Sequence, residues 1–416
     1  MTYVEFFSPS VAENICACLA RKPDRVILVG DKRKQLQTHA KRYQELFAQR
    51  GEEIEFQWRS VNKNDMQSII NALSELVETY DDCVFDLTGG EDLYLVAMGI
   101  VSERYSARDL QLQRFNLHNG TVIDCDLDGA VLQEMEMPQL SVEENIRFYG
   151  GEVLYGGDNT YRWNMTQEFM EDIAVMWDIC CTGVQRWNAL VSVFALAAEL
   201  DVSQDSPLRL VASMEALKKD LWYVNEKYFD ESGMNQMLQM TGMLTRFQLE
   251  GNTLTLEFKN QQIKRVLTKA GNILELAMYL AGLLAQDDDG PTYNDVMTGV
   301  SISWDGEQPG EAVDIRNEID VLLMRGMVPV FISCKNGDVK IEELYKLSAV
   351  ANQFGGSYSK KVLVSTALES LGLREEYIRA RAEDMDIRIL DDVQDKKFSE
   401  LVKTVKTLWK TSLTKK

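Results

Sequence analysis

V-D-I-R-N-E-I-D-V-L-L-M-R-G-M-V-P-V-F-I-S-C-K-N, residues 313–336, reads as a β-hairpin. With a period of two, Asp314, Arg316, Glu318 and Asp320 share one face of its first strand. Val313, Ile315, Ile319, Val321 and Leu323 take the other. Arg325-Gly326 turns the chain, and the second strand runs from Val328 to Lys335 with Ser333 and Lys335 on one face. Two carboxylates at i and i+2 beside a lysine on the next strand suit metal-dependent cleavage of a phosphodiester. Alternating charge also describes a solvated strand face. Lys335 narrows the choice, because it closes an apolar run, Val328 to Ile332, where a long cation needs an acid at its tip.

Upstream, a helix is expected from Gly271 to Ala285, and its one charged residue is Glu275. An unpaired carboxylate among Ile273, Leu274, Leu276, Met278 and Leu280 is destabilising by several kcal/mol, roughly, unless it meets a cation or reaches solvent. A divalent ion shared with Asp320 and Glu318 would satisfy it, and Mg²⁺ or Mn²⁺ favours such oxygen ligands. A Glu at the edge of an apolar face, paired with a lysine, is the other reading. Asp287 to Pro291 is a polar loop that leads into the hairpin. Downstream the pattern gives a helix at 341–353, Gly355-Gly356, strands at 361–365 and 386–390, and a terminal lysine-rich helix.

The first 130 residues alternate strand (3–7, 26–29, 54–59, 83–87, 110–116) and helix (11–20, 32–50, 65–80, 91–105), the pattern of an α/β domain with a mainly parallel sheet. Asn119-Gly120 signals a hairpin at its end. Asp86-Leu-Thr88-Gly89-Gly90-Glu91 places a small-residue loop between strand and helix, where backbone N–H groups and a helix N-terminus favour phosphate. An ordinary βα turn has the same composition. Ser8-Pro9-Ser10 and the loop carrying Lys32 and Arg33 open on the same sheet edge, where doubly wound sheets bind ligands. Ser141 to Glu144 forms a capping box, and residues 166–245 read as helices.

The formal net charge of −21 argues against a large basic face for duplex DNA. Seven cysteines without ligand spacing, and only His39 and His118, make a structural zinc site or a disulfide frame improbable and suit a reducing cytoplasm. No apolar run is long enough to cross a membrane.

The carboxylates and Lys335 resemble the PD-(D/E)xK nuclease superfamily, and the order helix, hairpin, helix, strand, helix, strand resembles its restriction-endonuclease-like core. The chain departs at Ser333, where the family carries an acid. N-E-I-D-V, P-V-F-I-S-C-K-N, E-L-Y-K-L and F-G-G (317–321, 329–336, 343–347, 354–356) look like a nuclease subfamily of CRISPR ancillary effectors, and Gly271-x-x-Leu274-Glu275 looks like its helix motif. D-L-T-G-G is similar to the CARF domain, a Rossmann-like sensor of cyclic oligoadenylates; Glu91-Asp92 stands where that family often has Thr-Lys.

The resemblance implies an α/β protein with a CARF domain over 1–135, a helical region over 136–245 and a restriction-endonuclease-like domain over 246–416. It further implies a cytoplasmic homodimer activated by cyclic tetra-adenylate from a type III CRISPR complex, cleaving DNA or RNA. Glu275, Glu318 and Asp320 would hold Mn²⁺ or Mg²⁺, and Lys335 would assist. Ser8, Pro9, Ser10, Lys32, Arg33, Thr88, Gly89, Gly90 and Glu91 would meet the activator. Two rivals remain: a ligand-responsive regulator with an inactive nuclease-like domain, and a stand-alone nuclease with an unrelated α/β domain.

Overall fold

The computed structural model describes the chain except residues 109, 117–120, 126–129, 137, 158, 203–205, 225–227, 230–232, 270, 305–315, 369–371 and 411–416. Seven strands form the N-terminal sheet: β1 (Thr2–Phe6), β2 (Arg25–Gly30), β3 (Glu55–Ser60), β4 (Cys83–Asp86), β5 (Gln111–Asn116), β6 (Thr121–Cys125) and β7 (Val131–Glu136). Their order is β3-β2-β1-β4-β5-β6-β7, parallel through β5 and antiparallel beyond it. The expected hairpin follows β5, with Asn116 opposite Thr121, while Asn119-Gly120 lies outside the described residues. Strand β7 is an addition that the sequence pattern did not announce.

Alternation buries both faces of this sheet. Val26 and Leu28 join the core beneath helices Val11–Arg21 and Arg33–Gln49. Ile27 and Val29 join the opposite core beneath Met66–Thr79 and Asp92–Arg104. Strand order reverses between β1 and β4, so the loops after these two strands flank a switch point.

The expected capping box forms. The Ser141 hydroxyl accepts from the Glu144 N–H, and the Glu144 carboxylate accepts from the Ser141 N–H. The helix it opens leads to β8 (Glu152–Leu154), which pairs with the C-terminal sheet. The region expected to be wholly helical holds two long helices, Gln167–Cys181 and Val184–Glu199, which meet at 118°. It also holds a strand, β9 (Arg209–Ser213). With β10 (Leu244–Glu250) and β11 (Thr253–Phe258), β9 forms a small sheet that spans residue 245. Leu210 and Ala212 are buried and their neighbours half-buried, a strand signature five residues long, too short to stand out among helices.

A two-residue ladder, β12 (Gln286–Asp287) with β13 (Gly290–Pro291), precedes β14 (Asp295–Ser303). The hairpin follows as β15 (Arg316–Arg325) and β16 (Val328–Lys335), then β17 (Lys360–Ser365) and β18 (Ile387–Leu390). The sheet order is β18-β17-β16-β15-β14-β8, antiparallel from β8 to β16 and parallel beyond. Val313, Asp314 and Ile315 lie outside the described residues. The single hairpin expected from the sequence is thus a three-stranded meander. Helix Asn272–Leu284 covers one face, where Val321, Leu323, Val330, Ile332 and Cys334 are buried. Helix Ile341–Gly355 covers the other, against Leu322, Met324 and Phe331. Ile319 lies in this second core although Val321 lies in the first, so the expected alternation changes phase at Asp320. Opposite, Gly299 adopts φ +58°, a left-handed conformation that favours glycine.

Among the described residues no single helix is long and apolar enough to cross a membrane.

Candidate functional site

The break at Asp320 builds the C-terminal site. Its carboxylate turns toward β16, accepting the Cys334 N–H at 2.6 Å and the Ser333 hydroxyl at 3.2 Å. Its backbone carbonyl accepts from Thr298 Oγ1 at 2.9 Å. Lys335 Nζ stands 3.8 Å from the same carboxylate and 3.1 Å from Glu343. Burial raises the Asp320 pKa, and Lys335, the Cys334 N–H and Ser333 pull against that rise without cancelling it. For Lys335, burial lowers the pKa, but Asp320 and Glu343 outweigh it and the group stays protonated.

Glu275 arrives from the first turn of helix Asn272–Leu284, which opens at Gly271 with φ +89°. Burial pushes its carboxyl up to about 8, the Asp320 charge adds to the rise, and Lys269 opposes it. Two lysines, Lys269 and Lys335, therefore do not fully compensate it. Glu318 behaves differently. Its side chain is 47% exposed and pairs with Lys269 at 3.5 Å. Among the described residues no three acidic, histidine or cysteine side chains stand together at metal-ligand spacing. The structure brings Asp320 and Lys335 together, and Glu275 shares a cavity with Glu318, whose carboxylate pairs with Lys269. Two half-buried carboxyls with raised pKa are the oxygen donors here that could hold a divalent cation.

Two side chains here, Lys269 and Glu343, escaped the sequence pattern, and the role of a third, Ser333, was not legible in it. Lys269 sits one turn before the Glu275 helix. Glu343, in the first turn of helix Ile341–Gly355, clamps Lys335; an acid at a helix start just after a conspicuous lysine was the available signal. Ser333, a departure from the family pattern, acts as a donor that fixes Asp320. Lys346 is exposed and pairs with Glu343 at 3.7 Å.

The N-terminal loops converge at the switch point. Thr88 N–H donates to Asp86 Oδ1 at 2.7 Å, and Thr88 Oγ1 accepts the Phe115 N–H at 3.2 Å. Asp86 is fully buried; burial lifts it to about 6 against the bonds from Thr88 and Gln113. Glu5 lies opposite it in register, and burial, then the Asp86 charge, raises it well above the carboxylate range. Gly89 packs so closely on β1 that a Cβ there would stand 2.4 Å from the Phe6 carbonyl oxygen. Ser8 N–H donates to Asn14 Oδ1 at 2.8 Å, and Asn14 Nδ2 donates back to the Ser8 carbonyl at 2.8 Å, so a buried residue absent from the expected set shapes the Ser8-Pro9-Ser10 loop.

None of the helices starting at Val11, Arg33 and Asp92 has a side-chain cap bond at its N-cap, whereas Asp65 caps Met66–Thr79. Lys32 and Arg33 are exposed, and the Arg33 guanidinium lies over Trp58 at 5.1 Å. Glu91 pairs with Lys63 at 3.2 Å, which returns a cation to this edge. Thr88 and Gly90 line a cleft of about 670 Å³ with Leu95, Arg114, Phe115 and Tyr358.

Residues 261–409 match the protein family described as the Card1-like endonuclease domain. No curated protein matches the chain in sequence. Two solved structures share its fold along the whole length. Protein VC1899 from Vibrio cholerae aligns with a TM-score of 0.71 at 17% identity over 99% of this chain and 98% of its own. Can2 from Sulfobacillus thermosulfidooxidans, solved in complex with cyclic tetra-adenylate, aligns with a TM-score of 0.65 at 16% identity over 97% of both. At such identity the likeness shows the fold alone: a Rossmann-like sheet followed by a mixed sheet.

Proposed function

We propose that the chain is a metal-dependent nuclease of type III CRISPR defence, switched on by cyclic tetra-adenylate, because residues 261–409 match the Card1-like endonuclease domain family. The observation that carries this reading is the half-buried pair Asp320 and Glu275, both with raised pKa, and Lys335 held protonated beside Asp320. Asp320 and Glu275 would hold Mn²⁺ or Mg²⁺, with Glu318 joining when it leaves Lys269. The bound ion would lower the pKa of a water and draw charge from a phosphate oxygen. Lys335 offers its protons to the negative charge that develops on the phosphate, and Glu343 keeps its amine aimed at the site. Ser333 and the Cys334 N–H keep Asp320 ionisable and fixed.

At the other end, the small Thr88-Gly89-Gly90 loop and three uncapped helix starts favour the phosphates of a cyclic oligoadenylate. Ser8, Pro9 and Ser10 face the same edge, and Lys63 beside Glu91 balances its charge. A symmetric ring suits a two-fold axis, so the working unit would be a homodimer in the cytoplasm.

Labelled RNA, single-stranded DNA and plasmid, incubated with Mn²⁺ with and without cyclic tetra-adenylate, test this. Cleavage is expected only with the activator, and Asp320→Ala or Lys335→Ala should slow it by about 10²–10³-fold or more. Parental rates in both variants would sink the site assignment. No cleavage of any substrate would favour the inactive regulator, and cleavage without activator the stand-alone nuclease.

A further inference from the structure

Beside Glu275 and Glu318 the chain carries an aromatic and cationic strap that the chemistry above does not use. It leaves edge strand β8, bends at Gly156 and Gly157 with φ +85° and +57°, and runs to Trp163. Both ends are anchored. Thr160 Oγ1 accepts the Ser301 N–H at 2.9 Å, and Ser301 is the register partner of Glu318. Asn164 is held by Gln262 through bonds of 2.7 and 3.1 Å. One helical turn from Gln262, the Arg265 guanidinium lies 4.2 Å over the Tyr161 ring, and Trp163 meets Tyr161 edge-on at 4.8 Å.

Tyr161, Trp163, Arg265 and Lys269 line the cavity that also holds Glu275 and Glu318. A groove of about 390 Å³ continues from it, sharing Tyr161, Trp163 and Thr298 and adding Tyr155 and Arg162. The acids in that groove are already engaged. Glu143 bonds Tyr155 and pairs with Arg147 and Arg162, and Asp295 accepts the N–H groups of Val142 and Val296. In a chain of net charge −21, cations interleaved with aromatic rings next to catalytic carboxyls complement a polyanion with planar bases.

We infer that Tyr161 and Arg265, with Lys269, form a platform that seats an unpaired nucleotide next to the phosphate to be cleaved, the base on Tyr161 and the backbone on the two cations. These are positioning residues, and the inference rests on the nuclease reading. An anchored platform is preorganised, so little ordering is lost when a strand binds.

The test uses the full-length protein with cyclic tetra-adenylate and labelled single-stranded DNA. Binding is followed by anisotropy in chelator, and kcat and KM are measured with Mn²⁺. Tyr161→Ala should weaken binding and raise KM about tenfold with kcat nearly unchanged, and Tyr161→Phe should restore both. An abasic strand should bind the parental protein more weakly but lose nothing further on Tyr161→Ala. Arg265→Ala should flatten the slope of log affinity against log salt by about 0.7. Parental KM and salt slope in both alanine variants, with the parental protein cleaving and Asp320→Ala inert, would overturn the platform and leave the nuclease standing. A parental protein that neither binds nor cleaves any strand would overturn both.

Discussion

Asp320 is the residue on which the C-terminal site turns. A strand in strict alternation would send it outward with Glu318; instead the phase change points it at the Cys334 N–H, where a carboxylate gains donors and loses water. Glu275 faces the consequence. Its pKa of about 8 in the folded protein exceeds the ordinary 4.5, so between those values the native state holds a proton that the unfolded chain has released. Folding stability must then fall as pH rises from about 4.5 to 8. Glutamine mimics the protonated form. In chelator, Glu275→Gln should melt higher than the parental protein at pH 8, and the gap should shrink toward pH 5. Calorimetry at the two pH values checks this, and an equal gap at both would mean that the carboxyl is not desolvated.

Among the elements, β1 and β4 set the proposed ligand edge because their loops touch. Gly89 is the contact: its Cα faces the Phe6 carbonyl with no room for a methyl group, and Ser8 Cβ would lie 3.2 Å from one. Gly89→Ala should therefore destabilise the N-terminal sheet by about 1–3 kcal/mol. Gly99, within helix Asp92–Arg104, has nothing within 4 Å of where a methyl group would stand, and Gly99→Ala should be neutral or stabilising by up to ~1 kcal/mol. Urea titration of both variants gives the comparison, and equal midpoints would refute the close approach. The buried carboxyls of Glu5 and Asp86 are register partners beneath the same loops.

At the scale of the whole molecule, a hydrogen bond ties the C-terminal part of the chain to helix Val11–Arg21 beside the N-terminal cleft. Tyr358, in the turn after helix Ile341–Gly355, donates its hydroxyl to Glu13 at 2.7 Å and lines the cleft beside Thr88. The same helix begins, about 22 Å away, with the Glu343 that holds Lys335. Asn145 fixes the helix end by donating to the Phe354 carbonyl at 2.7 Å. Tyr358→Phe removes the bond and keeps the ring. It should lower the stimulation of cleavage at saturating cyclic tetra-adenylate and leave the affinity for a DNA strand unchanged. A parental degree of stimulation in that variant would remove this helix as the link.

Periodicity alone determined the alternating N-terminal elements, the helix at Gly271 to Ala285, the hairpin after it and the carboxylates worth watching, because strand and helix periods are local properties of side-chain order. It missed β9, only five residues long, and β14, where Gly299 interrupts the alternation from Val296 to Ile302. Tertiary structure decided the rest: which acid Lys335 meets first, that Glu318 turns to Lys269, that Ser333 serves Asp320, that Tyr358 reaches the N-terminal cleft and that Tyr161 borders Glu275. Each of these joins residues that local periodicity does not relate, and only burial and packing fix how far a charge must travel to find its partner.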